Sequence, residues 1–372
     1  MPNSKKIVGL IVAAGYSSRM GAFKPLLPFG DKTIIETAVT SLRQGGIQDI
    51  RVVTGYQAEK LNTLLGRPDV KVINNPNYAT GMFSSVFAGL ESMEPDIEGF
   101  LMLPGDNPLI RRRSIKDVLQ MYRKTSAAVV YPAFCGMRGH PPLISAKCFS
   151  AIRHNNGNGG LKVILDKFDD DAVDVVVADQ GSLIDIDTID DYNKLIKYYD
   201  HYSVPMCDEC RAILNKCQAG ESVSRHGQAV AAMGYSLAVL LKRAGLKLDP
   251  NVVAAAGFLH DVAKGKPHHA RRGSRLVKAM GFSAIAEVIA THMDLDFQED
   301  CAIDEAAIVF LVDKLIRGEQ RVTFLERFEP SLERFSDQPE ILVSIRRRLR
   351  TATAIQNKVF QILGICSFNE LS

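Results

Sequence analysis

The stretch LIVAAGYSSRMGAFKPLL (residues 10–27) decides the fold of the first part of this chain. Ile7 to Ala13 has the composition of a buried parallel strand. The loop that follows contains Gly15 and carries Arg19 and Lys24. Because such a loop offers backbone N–H groups, hydroxyls and two cations to an anion, it predicts a nucleotide-phosphate site.

Length and composition set the class of protein. A chain of 372 residues exceeds what one hydrophobic core usually serves, so we expect two domains. The net charge of +3 is too small to indicate nucleic-acid or membrane binding, and we expect neither partner. Neither a secretory signal nor an apolar run of about twenty residues occurs, which predicts a cytoplasmic protein whose cysteines are thiols.

The first half alternates short apolar segments with segments of helix length. Residues 51–54 (RVVT) and 71–74 (KVIN) are two of the short segments, and the alternation extends from Lys6 to about Asp190. This pattern is typical of βαβ units, in which helices connect parallel strands. We therefore predict a parallel sheet in this half.

The second half, from about Asp208 to Leu363, has no strand-like segments. Long amphipathic runs take their place, at 222–243, 251–264 and 304–317. This half is therefore predicted to be all-helical. The predicted limits are 1–198 for the first domain, 199–217 for a linker and 218–372 for the second domain.

Five charged side chains of the first half are candidates for binding a triphosphate and a metal ion. Arg19 and Lys24 would neutralise the triphosphate, and Lys24 would stabilise charge that develops on the α-phosphate and the leaving pyrophosphate. Asp106 follows the segment LPG and would anchor Mg²⁺. Asp185 and Asp187 alternate along a predicted short strand, so both face one side and either would supply a second metal ligand.

A polar loop, NNPNYATGMFSS (residues 74–85), leads into a predicted helix. Its candidate binding residues are Asn75, Gly81, Ser84 and Ser85, for the nucleobase or for the acceptor of the transferred group. The two serine hydroxyls are equally suited to capping the helix.

Two further residues of the first half also have alternative roles. His140 lies in the rigid turn GHPP, which would present it to the acceptor, although a histidine in a turn is more often a surface residue. Asp187 precedes TIDD and is equally suited to be a helix cap.

Together these segments resemble the molybdenum cofactor cytidylyltransferases, within the nucleotidyltransferases of doubly wound α/β (Rossmann-like) fold. The resemblance covers about residues 5–195. It rests on AAGYSSRMG with Lys24, NNPNYATGMFSSV, LPGDNPLI, RGHPPLIS, GNGGLKVIL and DIDTIDDY. One departure is the GNGG segment at residues 157–160, where an acidic residue is common after the first glycine.

The resemblance implies an Mg²⁺-dependent enzyme that moves a nucleoside monophosphate from an NTP to the terminal phosphate of a molybdopterin and releases pyrophosphate. The related guanylyltransferases have AGG in the loop, whereas this chain has AAG, which favours CTP. The candidate nucleotide-binding residues are Ala13, Ala14, Gly15, Arg19, Lys24, Asn75, Gly81, Ser84 and Ser85.

Histidines concentrate in the second half. Five of the eight lie within residues 226–292, where His260 and Asp261 are adjacent in an apolar run, and Asp313 lies in another apolar run. On one helix, His260, Asp261 and Lys264 would fall close to a common face. A buried carboxylate needs a partner, because leaving it unpaired is very costly. Imidazole and carboxylate ligands suit Fe, Mn or Zn, so the pattern predicts a metal site.

This half resembles the HD-domain metal-dependent phosphohydrolases over about residues 208–330. The implied metal ligands are His226, His260, Asp261 and Asp313, with His269 and His292 added in members that bind two ions. Lys264 would contact the phosphate. His268 has an equal claim to the place given to His269, although the spacing to Gly273 favours His269.

We therefore expect a two-domain enzyme, in which an α/β nucleotidyltransferase domain precedes an all-α HD domain. The first domain would transfer a nucleotide from CTP to molybdopterin, and the second would hydrolyse a phosphoester or a nucleotide. One alternative replaces the pterin by a sugar or polyol phosphate. Another is a nucleotide-sensing regulatory protein, which the two complete motif sets disfavour.

Overall fold

The computed structural model describes residues 6–66, 68–298 and 300–370. By its internal contacts the chain divides into a first unit, Met1–His201, and a second unit, Tyr202–Ser372. The segment 199–217, predicted as a linker, includes a helix at Cys207–Lys216 that packs on the helix at Pro250–Leu259. The predicted domain limits stay a prediction, and their ends at residues 1–5 and 371–372 lie outside the described residues.

The first unit combines strands and helices. Its strands are β1 Lys6–Ala13, β2 Pro28–Phe29, β3 Lys32–Thr33, β4 Ile50–Thr54, β5 Lys71–Asn74, β6 Ile97–Pro104, β7 Val129–Phe134, β8 Met137–Arg138, β9 Leu143–Ser145 and β10 Ala172–Val176. Its helices are α1 Ile34–Gly45, α2 Ala58–Leu65, α3 Met82–Glu91, α4 Arg112–Thr125, α5 Phe149–Arg153, α6 Gly160–Leu165 and α7 Ile189–Asp200.

The main sheet has the strand order β10-β7-β9-β6-β1-β4-β5, and β8 pairs with β7. As predicted for residues 7–13, β1 is a buried parallel strand, and it pairs with both β4 and β6. The predicted parallel sheet is confirmed for most of its strand pairs, but the sheet is mixed, because β9 is antiparallel to β6 and β7. Cys135 and Gly136 both have positive φ and turn the chain back after β7, and β9 continues in that reversed direction.

Helices cover both faces of this sheet. Val8, Leu10 and Val12 alternate along β1 and join one core cluster. Gly9 points to the other face, where a Cβ would lie 2.8 Å from the side chain of Leu42 on α1. Packing on both faces produces the predicted doubly wound arrangement and leaves the carboxyl ends of β1 and β6 at one edge.

The second unit is built from helices. They are α8 Cys207–Lys216, α9 Glu221–Arg243, α10 Pro250–Leu259, α11 His269–Ala279, α12 Ser283–Thr291, α13 Glu305–Leu315, α14 Phe324–Arg334 and α15 Pro339–Leu363. The all-helical prediction missed a hairpin of two short strands, β11 Ile316–Arg317 and β12 Gln320–Arg321. Gly318 lies in the turn between them with φ +64°, a conformation that glycine adopts without strain.

A close contact between α9 and α10 prepares the centre of the second unit. A Cβ on Gly227 would lie 2.4 Å from the main-chain oxygen of Phe258, so only glycine permits this approach. His226 precedes that glycine, and His260 follows α10 directly. In the part of the chain that the structure describes, no helix has both the length and the apolar character needed to cross a bilayer.

Candidate active sites

The loop after β1 brings together the charged residues predicted for the nucleotide site. Lys24 Nζ lies 3.1 Å from Asp106 Oδ2 and 3.1 Å from Asp187 Oδ1. Arg19 Nη1 lies 3.2 Å from Asp187 Oδ2. The main-chain N–H of Lys24 donates to Ser17 Oγ at 3.1 Å, which ties the loop back on itself. Two cations and two carboxylates therefore meet beside the ends of β1 and β6.

The environment of these groups fixes their charges. Burial lowers the pKa of Lys24, but Asp106 and Asp187 more than offset it and raise that pKa, so Lys24 is a cation at neutral pH. Partial burial raises the pKa of Asp185, with a smaller opposing effect of His140. Burial lowers the pKa of His140 itself. Its Nδ1 is buried and has no hydrogen-bond partner among the described residues.

A cavity of about 240 Å³ adjoins Lys24. The predicted site residues that line it are Ala13, Ala14, Gly15, Lys24, Gly81, Ser85 and Asp106. A Cβ on Gly105 would lie 2.8 Å from Ala13 Cβ, so this glycine lets the end of β6 approach the loop. The glycine loop and the carboxylate after β6 thus border one space.

Asn75 organises the polar loop 74–85 from inside. Its Nδ2 donates to Ser84 Oγ at 2.9 Å and to Ser85 Oγ at 3.0 Å, and its Oδ1 accepts from the N–H of Asn77 at 2.9 Å. Ser84 Oγ also donates to the main-chain oxygen of Gly81 at 2.8 Å. These contacts stiffen the loop and the start of α3, whereas Ser85 in addition borders the cavity.

The short strand predicted to carry Asp185 and Asp187 does not form. The backbone N–H groups of Asp187 and Thr188 instead donate to Asp191 Oδ2, as part of the capping box of α7. Thr188, rather than Asp187, is the N-cap of that helix. Ile186 is still buried between the two exposed aspartates, so both keep the shared orientation that the alternation predicted.

His140 borders a second cavity of about 500 Å³. Phe83, Met102 and Tyr131 give this cavity apolar and aromatic walls, and the glycines of GNGG also line it. Arg138 lies over the Tyr131 ring at 4.4 Å and forms ion pairs with Asp169 and Asp174. Gly81 and Met82 line both cavities, so the two spaces are neighbours.

In the second unit, His260, Asp261 and Lys264 do not lie on a helix as predicted. α10 ends at Leu259, and a turn follows in which the N–H of Val262 donates to the oxygen of Leu259 and that of Lys264 to the oxygen of Asp261. The turn still brings Lys264 Nζ to 2.6 Å from Asp261 Oδ2. The two side chains are therefore close together, as a common face implied, although the local structure is not a helix.

Main-chain oxygens orient three of the predicted histidines. Nδ1 of His226 contacts the oxygen of Gly318 at 2.9 Å, and Nδ1 of His260 contacts that of Gly257 at 2.8 Å. Nδ1 of His292 contacts the oxygen of Ile289 at 2.7 Å. Because an oxygen acceptor holds the proton on Nδ1, each Nε2 is left as a lone-pair donor.

These Nε2 atoms face two carboxylates. His226 Nε2 lies 3.2 Å and His260 Nε2 3.4 Å from Asp313 Oδ1. His269 Nε2 lies 3.4 Å from Asp261 Oδ1 and 3.2 Å from His292 Nε2. Nε2 of His260 is fully buried and makes no hydrogen bond to the described residues. A metal ion would satisfy this orphaned lone pair, so the donor set fits a metal.

Asp261 belongs to two groups of possible ligands. One group is His226, His260 and Asp261, and the other is Asp261, His269 and His292; in each, the ligand atoms lie within 4.8 Å of one another. Burial alone would raise the pKa of Asp261, but its contacts with His269, His292, His260 and Lys264 lower it overall. His268, the alternative to His269, is exposed at the N-cap of α11 and is in neither group.

Two cations near Asp313 were not among the predicted site residues. Lys314 is buried, and its Nζ lies 2.7 Å from Asp313 Oδ2 and 2.8 Å from the main-chain oxygen of His292. Despite burial, Lys314 and the histidines lower the pKa of Asp313. Arg327 Nη2 lies 4.0 Å from Asp313 Oδ1. The apolar run IVFLVDKL could have indicated Lys314, since a lysine inside such a run needs a buried partner.

Comparisons with known proteins agree with this division. Residues 9–173 match the MobA-like NTP transferase domain, and residues 223–318 match the HD domain. The chain is 30% identical over 185 residues to the molybdenum cofactor cytidylyltransferase of Escherichia coli (strain K12), covering 49% of this chain and 92% of that protein.

Two further similarities cover the same part of the chain. Nicotine blue oxidoreductase of Paenarthrobacter nicotinovorans is 25% identical over 198 residues, covering 51% of this chain and 96% of that protein. A crystal structure from Mycobacterium tuberculosis H37Rv is 22% identical and covers 52% of this chain and 98% of that chain, with a TM-score of 0.46.

Proposed function

This chain belongs to the MobA-like NTP transferase family and carries an HD domain in its second half, and from that premise we propose a specific pair of reactions. The first unit would transfer a cytidine monophosphate group from CTP to a molybdopterin and release pyrophosphate. The second would hydrolyse a phosphoester at a divalent metal centre.

The position of Lys24 carries the first proposal. Its ammonium lies between Asp106 and Asp187 at the border of the glycine-loop cavity. Lys24 would donate hydrogen bonds to the α-phosphate oxygens, where negative charge grows during transfer. Arg19, which is largely exposed, would contact the β- and γ-phosphates and stabilise the leaving pyrophosphate. Asp106, with Asp185 or Asp187, would hold Mg²⁺, which supplies further neutralisation of phosphate charge.

The remaining loop residues would position the nucleotide. Backbone N–H groups of Ala13, Ala14 and Gly15 are suited to the phosphates, and Gly81 and Ser85 border the same cavity. Asn75 and Ser84 would act through the shape of the loop that they hold together. The AAG sequence favours CTP over GTP, as the resemblance implies.

The second cavity would bind the acceptor. Phe83 and Tyr131 offer aromatic faces suited to a flat ring system such as a pterin. His140 is neutral, and its unpartnered Nδ1 would bond a polar group of the acceptor. Because Gly81 and Met82 line both cavities, the acceptor and the nucleotide would bind next to each other.

Pyrophosphate release tests this proposal. CTP, GTP, ATP and UTP would each be supplied with Mg²⁺, with and without a molybdopterin acceptor, to the wild type and to Asp106→Asn. We expect release from CTP that requires the acceptor and is lost in the variant. Asp190→Asn is a matched control, since Asp190 is an exposed carboxylate close in sequence to the site. Pyrophosphate release that requires a sugar or polyol phosphate instead would show that the acceptor is not a pterin. If no nucleotide gives release, the first unit would be a nucleotide sensor.

Asp261 carries the second proposal, because it joins both groups of ligands. His226, His260, Asp261 and Asp313 would hold one ion, and Asp261, His269 and His292 would hold another. Divalent ions such as Fe, Mn or Zn supply polarisation of a phosphoryl oxygen and activation of water. The main-chain oxygens that fix the imidazoles would keep the ligands aligned. Lys264, on the exposed side of Asp261, would orient the phosphate.

Metal analysis and hydrolysis together test this proposal. Protein purified without oxygen would be analysed for Fe, Mn and Zn and assayed with p-nitrophenyl phosphate and bis(p-nitrophenyl) phosphate. We expect near-stoichiometric metal that is lost in Asp261→Ala together with hydrolysis. A protein that binds no metal under these conditions would contradict the proposal and favour a binding module.

A further inference from the structure

Arg327 lies on α14, beyond residues 223–318, the part that matches the HD domain. Its Nη2 is 4.0 Å from Asp313 Oδ1, too far for a hydrogen bond. Among the residues that the structure describes, the guanidinium makes no hydrogen bond at all, and its side chain is 34% exposed. Arg327 therefore brings several uncommitted donors to the border of a buried centre.

The chain between Asp313 and Arg327 holds this guanidinium in place. After α13, the hairpin turn at Gly318 supplies the oxygen that orients His226, and the N–H of Val322 donates to the oxygen of Leu315. Thr323 and Glu326 then form a capping box that fixes the start of α14. Arg327 follows the box directly, so it returns to Asp313 through a connected set of contacts.

Two cations at the centre are more exposed than the carboxylates beside them. The carboxylates of Asp261 and Asp313 are each only 7% exposed, whereas Lys264, next to Asp261, is 54% exposed. Arg327 occupies the corresponding place beside Asp313. A ligand that reaches the centre from solvent would meet both cations.

The charge of the centre indicates what that ligand is. Asp261 and Asp313 contribute two negative charges, while Lys264, Lys314 and Arg327 contribute three positive ones. A divalent ion bound there would make the centre more positive. Such a centre attracts a phosphate with two negative charges more strongly than a diester with one.

We propose that Arg327 binds the non-bridging oxygens of a terminal phosphate, so that the second unit acts on phosphomonoesters rather than phosphodiesters. The inference rests on the proposed hydrolase function of the HD centre and names its substrate class. A guanidinium suits this task because its paired N–H groups match two phosphate oxygens.

Binding of inorganic phosphate tests the role of Arg327 independently of turnover. The full chain loaded with Mn²⁺ would be titrated with phosphate in a calorimeter, as wild type, Arg327→Gln, Arg327→Lys and Arg334→Gln. We expect Arg327→Gln to weaken phosphate binding about ten- to hundredfold, which is typical of losing a charged hydrogen bond. The affinity of Arg327→Lys should lie between those of the wild type and Arg327→Gln. Arg334 is an exposed arginine of the same helix, so its variant should bind like the wild type.

Metal content and melting temperature distinguish substrate binding from a structural role. If Arg327→Gln binds phosphate as the wild type does, or loses metal in parallel with phosphate affinity, the inference is overturned. If the wild type hydrolyses neither p-nitrophenyl phosphate nor bis(p-nitrophenyl) phosphate but its phosphate binding depends on Arg327, the hydrolase proposal fails and the anion site stands. Faster hydrolysis of the diester by the wild type would overturn the substrate class.

Discussion

In the first unit, Arg19 and Asp187 of the candidate site are 75% and 55% exposed and Asp106 is 26% exposed, whereas Asp261 and Asp313 of the second unit are each 7% exposed. Lys24, which lies between Asp106 and Asp187, is 11% exposed. The first site is a loop and a sheet edge that border a cavity. The second is a set of side chains already directed at one another inside a helical unit.

This contrast separates two ways of binding a charged ligand. In an open site, folding costs little desolvation free energy. Binding there therefore depends on the charges of the nucleotide and of Mg²⁺. A buried site of carboxylates and imidazoles is desolvated during folding, and a bound ion offsets that cost. We therefore expect ligand removal to affect the stability of the two units differently.

The largest expected effect is that of Asp261→Asn. Because Asp261 belongs to both ligand groups, the variant should lose metal affinity by at least about a hundredfold, together with hydrolysis. EDTA should lower the melting temperature of the wild-type second unit and have little effect on the variant, since ligand binding stabilises by mass action. Calorimetry and metal analysis would measure both. Asp296→Asn, which changes an exposed carboxylate nearby in sequence, is the control. Unchanged pyrophosphate release by Asp261→Asn would show that the activities of the two units are separate.

Lys24→Gln examines the open site. Removing a donor to the developing charge should lower kcat of nucleotidyl transfer about 10²- to 10³-fold, as when an oxyanion-stabilising donor is removed. The melting temperature should change little, because the partners Asp106 and Asp187 remain accessible to water. Steady-state pyrophosphate release would measure this effect, with Lys60→Gln as an exposed control. A large loss of stability without a loss of kcat would contradict this prediction, because Lys24 would then serve folding, as the buried groups of the second site do.

Arg51→Met tests whether a buried charge can have a purely structural role in this molecule. Arg51 is 1% exposed, is paired with Asp49 and Glu94 and donates to the main-chain oxygen of Ser92. The change should lower the free energy of unfolding of the first unit by about 2 to 4 kcal/mol without changing kcat, because these partners are structural. Denaturant unfolding would measure it. The surface pair of Arg43 gives the matched control, Arg43→Met, with an effect of under about 1 kcal/mol.

The smallest expected effect is on acid stability. Hydrogen bonds from Arg51, and further contacts such as that with Lys71, lower the pKa of Glu94 from 4.5 to about 2. Since the folded-state pKa is the lower one, the stabilisation is present above about pH 4.5 and is lost as the pH falls towards 2. Melting temperatures of wild type and Glu94→Gln between pH 5 and 2 would measure it. A wild-type curve as flat as that of the variant would contradict this assignment.

Local patterns predicted the elements that are short apolar runs or amphipathic from end to end. The strands at 51–54 and 71–74 and the helix over 222–243 formed within one residue of their predicted limits. The reversal at Cys135-Gly136 depends on two backbone conformations that composition does not reveal, so the antiparallel β9 was missed. The hairpin at 316–321 is too short to show an alternation.

The candidate sites follow the same rule. Residues brought together by one turn, such as Asp261 and Lys264, were found from their spacing. Asp187 meets Lys24 across 163 residues; both were predicted for one phosphate and metal site, but no local pattern shows that their side chains touch. Arg327 was missed because its approach to Asp313 depends on the hairpin and the capping box between them.

Gly81 and Met82 line both cavities, and this shared lining bears on the stereochemistry of the transfer. Nucleotide and acceptor would occupy adjoining spaces at the same time, and the acceptor oxygen would attack the α-phosphorus opposite the departing pyrophosphate. A single displacement of this kind inverts the configuration at phosphorus, whereas two successive displacements through an enzyme-bound group would restore it. A CTP analogue made chiral at the α-phosphorus by one sulfur atom would therefore give a product of inverted handedness.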